Sequence, residues 1–257
     1  GGLDVAVAMA TGKYYVQCPS VLQVKLTGRK APWVSAKDVI LKILQELSVK
    51  GGVNKIVEYT GEGLSDLSLT DRATICNMGA ELGATTSVFP TDENALAYLK
   101  QQGREDEYVE MKADDDATYD ETIEIDMSTL VPMVAQPHSP DNVVDVKELE
   151  GMKINQVVIG SCTNSSLPDM MRAAKILKGR KVAEDVSLVI APGSSSILSM
   201  LAQNGALADM IHAGARILEC GCGPCIGMGQ APLSKGVSLR TINRNFKVRS
   251  GTNDASV

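Results

Sequence analysis

Three cysteines lie close together near the C-terminal end of the 257-residue chain, at Cys220, Cys222 and Cys225. A fourth, Cys162, lies upstream in a Gly-Ser-Cys-Thr-Asn stretch. A Cys-x-x-Cys pair that is joined by one or two further thiols can bind an iron–sulfur cluster, bind a structural zinc ion or form a redox disulfide. The first question is therefore which of these thiols share a site.

The elements around these cysteines predict that they meet at one edge of a sheet. Short apolar strands alternate with helices in the second half of the chain, which is typical of a parallel α/β sheet. Cys162 follows the first predicted strand, and Cys222 and Cys225 follow the third. Asn243 and Arg244 follow the fourth, and ligands usually bind beyond the carboxyl ends of such strands. The four predicted strands cover residues 157–159, 188–190, 216–218 and 239–242.

Local geometry limits the number of thiols that can point into this site. Cys220 and Cys222 are two residues apart, so in an extended segment they point to opposite sides and one of them faces the core. A closed zinc site needs four ligands, and an open catalytic zinc site usually includes histidine. The two histidines, His138 and His212, show no ligand spacing. A redox disulfide within the Cys-x-x-Cys pair leaves Cys162 unexplained.

A cubane iron–sulfur cluster held by three thiolates is the remaining option, although zinc and redox chemistry stay open as alternatives. Standard electron carriers bind such clusters with four protein ligands. With three, one iron is free to act as a Lewis acid on a hydroxyl or carboxylate group, which is hydro-lyase chemistry rather than electron transfer. The other cysteines, Cys18 and Cys76, are interpreted as small buried hydrophobic residues.

Composition argues against several other classes of protein. The formal net charge of −6 disfavours a nucleic-acid partner, because nucleic-acid sites usually carry a basic excess. No apolar stretch reaches the roughly 18 residues that a membrane span needs, and no signal peptide opens the chain. Six cysteines are too few and too unevenly spaced for a disulfide framework in a chain of this length. We therefore expect reduced thiols and a location in the cytoplasm or an organellar matrix.

Sequence pattern divides the chain into three predicted parts. Residues 1–20 are a remnant of a preceding domain, residues 21–137 form an α/β domain, and residues 138–257 form an α/β cluster-binding domain that is truncated at its C-terminus. In the first of these domains, apolar alternation predicts strands over residues 21–26 and 56–59. Capping residues predict helices that begin after Ser35 and near Asp92.

Two segments of the first domain bear on the site and on the domain boundary. A buried helix is predicted over residues 70–83, which places Asn77 and Glu81 one turn apart. The acidic run at residues 114–126 predicts a solvated surface, and the proline-containing stretch at residues 132–142 predicts a connection between domains.

Four stretches of the chain match a known family over long and specific motifs. They cover residues 73–90, 160–166, 222–227 and 243–249, and the last of them contains an Asn-Arg-Asn-Phe sequence. At these residues the chain resembles the aconitase family of [4Fe-4S] hydro-lyases, and the likeness runs through essentially the whole chain. The resemblance implies three-layer α/β/α domains with mainly parallel sheets and an aconitase-like core that is incomplete here.

The resemblance also implies roles for particular residues around a [4Fe-4S] cluster. It implies that Cys162, Cys222 and Cys225 are the cluster ligands. It further implies that Asn77 orients the cluster environment and that Glu81 acts near an oxygen bound to the open iron.

On the substrate side, the resemblance implies that Asn243, Arg244 and Arg249 help to hold the cluster and the substrate carboxylates. Guanidinium groups suit this task because they bind carboxylates with two parallel hydrogen bonds. The implied substrate is a small tricarboxylate or hydroxy-dicarboxylate. The motifs at residues 165–166 and 249–252 look more like aconitate hydratase, an enzyme of the tricarboxylic acid cycle, than like 3-isopropylmalate or homoaconitate dehydratase large subunits. An apo-form RNA-binding protein and a structural zinc domain are the non-enzymatic alternatives.

Two departures from the family pattern affect these expectations. Val248 stands where the family has glycine, so a positive φ at this position would strain the loop and displace Arg249. The family's upstream Asp-Ser-His segment and its downstream swivelling domain, which carries a serine base, have no counterpart in this sequence. Because these missing domains are needed for activity, we expect the isolated chain to be inactive and its cluster to be oxygen-labile and easily lost.

Overall fold

The protein is described by a computed structural model that covers residues 2–257. It is a mixed α/β protein with two four-stranded parallel sheets and one two-stranded antiparallel sheet. The first half contains α1 (Gly2–Thr11), β1 (Ser20–Thr27), α2 (Ala36–Leu47), β2 (Lys55–Thr60), α3 (Leu69–Met78), β3 (Thr86–Val88), α4 (Glu93–Gln101) and β4 (Glu121–Asp126). The second half contains β5 (Met133–Ala135), β6 (Val143–Asp145), β7 (Gln156–Gly160), α5 (Leu167–Leu177), β8 (Ser187–Ala191), α6 (Ser195–Gln203), α7 (Ala206–Ala213), β9 (Arg216–Ile217) and β10 (Ser238–Arg240).

The first sheet has the strand order β3-β2-β1-β4. Alternate residues of β1 are fully buried, as the apolar alternation predicts, and they pack with Tyr59 of β2 and with the apolar face of α2. Helix α2 begins where predicted, because the Ser35 amide and hydroxyl both donate to Asp38 Oδ2, at 2.6 and 2.8 Å. The largest hydrophobic core of the molecule therefore supports this half of the chain.

One prediction for the first half agrees with the structure and one is wrong in part. The acidic run is mostly exposed, as predicted, although its last six residues form β4 at the edge of the first sheet. Lys25 and Lys55 pair with the β4 carboxylates of Glu124 and Glu121, at 3.3 and 2.7 Å, and these pairs stabilise the acidic strand. The predicted helix over residues 70–83 ends at Met78, so the residues that follow it lie in a turn.

The β5–β6 hairpin connects the two larger sheets. It contains the proline-containing stretch, and the predicted domain boundary between residues 137 and 138 falls inside its loop. The division of the chain into residues 1–20, 21–137 and 138–257 stays a prediction; Gly1 lies outside the described residues. Helix α1 buries none of its residues against the rest of the molecule.

The second sheet has the strand order β10-β7-β8-β9 and is entirely parallel, as predicted. Helices α5, α6 and α7 pack against it around Met170, Leu201 and Met210. Helix α7 was not predicted; it begins after Gly205, which has a φ of +84°. Among the described residues, no helix is long and apolar enough to span a membrane.

Candidate functional site

Cys162 lies in a tight turn directly after β7. Gly160 has a φ of +130°, and a Cβ atom there would lie 1.9 Å from the Ala191 carbonyl oxygen, so only glycine fits. Ser161 follows with a φ of +67°, a backbone conformation that residues other than glycine rarely adopt. The turn leaves the Cys162 thiol exposed, with its Sγ 3.7 Å from Asn77 Oδ1. The sheet therefore directs this thiol toward the first half of the chain.

Cys222 and Cys225 flank a short 3-10 turn over residues 223–226. The Cys225 amide donates to the Cys222 carbonyl at 3.1 Å, and Cys225 is only 7% exposed. Its Sγ lies 2.8 Å from Ser161 Oγ, which brings the Cys-x-x-Cys turn against the Cys162 turn. Cys220 is partly buried two residues before this turn.

The electrostatics of Cys225 also indicate that the three predicted ligands are neighbours. Burial raises the pKa of the Cys225 thiol, and the nearby Cys162 and Cys222 raise the pKa further. The hydrogen bond from Ser161 and the charge of Arg240 act in the opposite direction. The structure therefore brings the three thiols to the edge of the sheet that the sequence predicted.

Asn77 and Glu81 reach this edge from the first half of the chain. Asn77 is at the end of α3, and its Oδ1 accepts a hydrogen bond from Thr163 Oγ1 at 3.3 Å. Thr74, one turn earlier, donates to the Thr163 carbonyl at 2.9 Å. Helix α3 is therefore bound to the chain that follows Cys162.

Glu81 lies in the turn that replaces the end of the predicted helix. Gly79 follows the last residue of α3 and lies close to β3, since a Cβ atom there would lie 2.4 Å from Ser87 Oγ. The Glu81 side chain is 1% exposed, and its Oε1 accepts from Arg244 Nε at 2.6 Å. Its Oε2 is buried without a hydrogen-bond partner among the described residues. This bond to Glu81 raises the pKa of Arg244.

Lys37 is a residue of the site that the sequence analysis missed. It lies in the first turn of α2, and its Nζ donates to the carbonyl oxygens of Thr241 and Ile242 at 2.6 and 3.2 Å. These carbonyls immediately precede Asn243, so a residue of the first half holds the segment that carries Asn243 and Arg244. The local pattern gave no signal for this role, because a lysine early in an amphipathic helix is usually solvated.

The pKa of Lys37 is lowered to about 8, because burial disfavours its charged form. The negative groups of Asp38, Glu81, Asp169 and Cys162 partly oppose this effect. A lysine with a pKa close to neutrality, held near the predicted thiolates, is a feature usually found at functional sites.

Asn243, Arg244 and Lys37 line a cavity of about 380 Å³ between the two halves of the molecule. Arg249 approaches from a loop that is held against the Cys-x-x-Cys turn. A Cβ atom on Gly227 would lie 2.1 Å from the Ser250 carbonyl oxygen, so the two segments are in very close contact. Val248, just before Arg249, has a φ of +67°, the conformation that the sequence analysis identified as strained for this residue.

The residues present fit a [4Fe-4S] cluster better than a single metal ion. Among residues 2–257, no three His, Cys, Asp or Glu side chains come close enough together to hold one ion, so the closed zinc site that the sequence allowed is not preformed. A cluster binds each thiolate through a different iron, so its ligands stand farther apart. Three of the buried polar atoms without partners, Glu81 Oε2, Asn164 Oδ1 and Arg249 Nε, lie in stretches that match the family motifs.

Comparisons with known proteins show which family this chain resembles. A sequence model described as "Aconitase family (aconitate hydratase)" matches residues 1–153 and 147–256. The 3-isopropylmalate dehydratase large subunit 2 of Archaeoglobus fulgidus is 44% identical over 258 residues, which cover 100% of this chain and 62% of that protein. The large subunit of the same name from Clostridium kluyveri is 43% identical, with 100% and 61% covered.

A solved structure, the holo-form of Thermococcus kodakaraensis aconitase X, matches with a TM-score of 0.47 and 16% identity. That match covers 86% of this chain and 50% of the other. The chain spans about three fifths of the length of the curated relatives it matches, 62% and 61% for the two above. Since the family model covers nearly every residue, the chain belongs to the aconitase family.

Proposed function

We propose that this chain is the cluster-binding part of a [4Fe-4S] hydro-lyase of the 3-isopropylmalate dehydratase type. The observation that carries the proposal is the meeting of Cys162, Cys222 and Cys225 with the ion pair of Arg244 and the buried Glu81 at one edge of the second sheet. This arrangement combines a thiolate site, a carboxylate and a guanidinium group within one cleft between the two sheets.

The substrate that we propose differs from the first expectation. The motifs favoured aconitate hydratase and citrate, but the relatives named above are 3-isopropylmalate dehydratases and support the alternative instead. We therefore propose a hydroxy-dicarboxylate with a branched alkyl group as the substrate class, rather than the tricarboxylate of the tricarboxylic acid cycle. Because these relatives are named large subunits, we also propose a smaller partner subunit.

The residues of the chain have separate tasks in this proposal. Cys162, Cys222 and Cys225 would hold the cluster, which when bound would supply Lewis-acid chemistry toward a substrate hydroxyl group. Asn77, bonded to Thr163 and next to Cys162, keeps that turn in position.

Arg244 uses its Nε on Glu81, which leaves its two terminal nitrogens for a substrate carboxylate. Arg249 supplies a second guanidinium group. Asn243 lies in the chain between Arg244 and the carbonyl groups that Lys37 holds. The unpaired Oε2 of Glu81 is a buried position that can hold a proton and donate it to the hydroxyl group as that group leaves as water. The isolated chain's inactivity stays a prediction.

Anaerobic reconstitution with ferrous iron and sulfide tests the cofactor. We expect the chain to bind iron and acid-labile sulfide in equal amounts, with broad visible absorption. Cys162→Ser, Cys222→Ser and Cys225→Ser should each lose most of both, whereas Cys18→Ser, an exposed residue outside the site, should bind as the parent does. Zinc binding without sulfide, or equal loading of all variants, would contradict the proposal.

Titration of the reconstituted protein with possible substrates tests the substrate class. Electron paramagnetic resonance of the reduced cluster should change on addition of 2-isopropylmalate at concentrations where citrate has no effect. The Arg244→Lys variant should need a higher concentration, because a lysine cannot form the paired bonds of a guanidinium group. A larger response to citrate would restore aconitate hydratase as the better assignment.

A further inference from the structure

Arg240, the last residue of β10, lies beneath the Cys-x-x-Cys turn and uses all three of its nitrogens. Its Nη1 donates to the Pro224 carbonyl at 2.7 Å, and Pro224 lies inside the turn between Cys222 and Cys225. Its Nε donates to Ser238 Oγ at 2.8 Å. Its Nη2 donates to Gln156 Oε1, also at 2.8 Å. A strand residue therefore reaches directly to the backbone of the cysteine turn.

The partners of Arg240 form a buried and self-consistent network. Ser238 and Gln156 are paired residues of β10 and β7, and both are buried. Ser238 Oγ donates to Gln156 Oε1 at 2.6 Å, and Gln156 Nε2 donates to the Ala231 carbonyl at 3.3 Å. The guanidinium group therefore has a fixed orientation, because each of its neighbours is itself held by a second bond.

The charge of Arg240 also acts on the site. Burial lowers the pKa of Arg240 to about 10, so the guanidinium group is charged at neutral pH. It is attracted to Cys225, whose thiol pKa it lowers against the effect of burial. Burying a charged group costs free energy. If Arg240 served only to hold a surface loop, a charged side chain would not be needed.

We propose that Arg240 is a positioning residue that fixes the Cys222–Cys225 turn for cluster binding and places a positive charge beneath the cluster. This inference rests on the proposed function, since it assumes that the three thiols hold an iron–sulfur cluster. No local sequence pattern indicated Arg240, because its contacts join residues that are far apart in the chain.

Arg216, in β9, provides a matched control because it bonds the same loop. Its Nη1 donates to the Gly229 carbonyl at 2.9 Å and to Gln230 Oε1 at 2.8 Å. It therefore holds the later part of the segment that begins with the cysteine turn, without a bond to the turn itself. If Arg240 only stabilises the loop in general, replacing either arginine should have the same effect on the cysteines.

The first measurement is alkylation of the cluster-free protein, followed by mass spectrometry of each cysteine. Rates are compared per thiolate, from the pH dependence of alkylation, because loss of the Arg240 charge also raises the pKa of the Cys225 thiol. On that basis Cys225 of Arg240→Met should react about tenfold faster than in the parent, because the loss of a charge-assisted hydrogen bond lets the turn open more often. Arg216→Met should react at the parent rate, and the exposed Cys18 serves as the internal reference. This result does not depend on the cluster, so it separates the role of Arg240 from the proposed function.

The second measurement is made on the reconstituted protein. The reduction potential of the cluster should fall in Arg240→Met, because a nearby positive charge is lost, and Arg240→Lys should restore part of it. Parent-like Cys225 reactivity in Arg240→Met, or an equal increase in Arg216→Met, would overturn the proposal. If Arg240→Met fails to fold, Arg240→Gln, which keeps a neutral donor, provides the same comparison with the same expected order of reactivity. If the parent itself binds no cluster, the proposed function fails while the alkylation result still stands.

Discussion

The two sheets support the site in different ways. Asn77 and Glu81 follow a helix that packs on the large hydrophobic core of the first sheet. The cysteines and arginines of the second half lie on loops, where a few buried polar contacts and close backbone approaches hold the chain. Non-glycine residues with positive φ occur in both halves, but Ser161 and Val248 are adjacent to site residues. Apolar packing thus holds the site residues of the first half, whereas polar contacts and strained backbone hold those of the second half.

The largest effect that we predict is on the stability contributed by the hydrophobic core of the first sheet. Leu44 of α2 is completely buried in the first core, and Leu44→Ala should lower the free energy of unfolding by about 2–5 kcal/mol. Leu233→Ala is the control, because Leu233 is 66% exposed in the second half and its loss should change stability by less than about 0.5 kcal/mol. Urea unfolding measured by circular dichroism gives both values. Equal losses would show that the two halves do not differ as described.

An intermediate effect is expected at Lys37, which joins the two halves. Its pKa is about 8 in the folded protein, below the usual value of 10.5, so the unfolded chain binds more protons between these two pH values. Folding therefore carries a cost below pH 8 that is relieved as the pH rises toward 10.5. Relative to Lys37→Met, the unmodified chain should gain about 2 kcal/mol across this range.

The measurement for Lys37 is urea unfolding of the cluster-free protein at several pH values. The comparison uses differences between variants, so the opposite pH trends that Tyr59 and Cys76 produce above pH 9 cancel. Lys42→Met, on the same helix, is the control and should show no such slope. A flat difference between the unmodified chain and Lys37→Met would mean that this lysine titrates like a solvated one.

The smallest effect is expected at Val248. Its φ of +67° is unfavourable for a β-branched residue, so Val248→Gly should stabilise the protein by about 1 kcal/mol after the entropy cost of glycine is subtracted. Val109→Gly is the control, because Val109 is exposed with an ordinary φ and its replacement should destabilise. Thermal unfolding distinguishes the two signs. Destabilisation by Val248→Gly would show that this loop is not strained.

Sequence pattern predicted the elements whose signals are local. Apolar alternation placed the strand at Ser20–Thr27, and serine capping placed the start of α2. The strand at Glu121–Asp126 was missed, because its acidic residues indicated solvated surface and its pairing partner, β1, is far away in the sequence. Helix α7 was also missed, because its N-cap residue is Gly205, which has no side chain that would mark a helix start.

The site shows the same division between local and distant signals. Strand order grouped Cys162 with the Cys-x-x-Cys pair, because the ends of parallel strands meet at one edge. The sequence did not predict that Glu81 sits in a turn, because the residue types of 79–83 do not show that α3 ends at Met78. Lys37 and Arg240 were not predicted either, because both act on backbone carbonyl groups, which leave no residue-type signal.

The contact between Gly227 and Ser250 has a consequence for how the two sides of the cleft communicate. The Gly227 Cα packs directly against the Ser250 carbonyl group, with no room for a methyl group between them. The cysteine turn therefore cannot move toward the Ser250 segment without displacing it. Movement of the cysteine turn is therefore transmitted to the loop that carries Arg249. The positions of Arg249 and of the cysteine turn therefore depend on each other through one point of backbone contact.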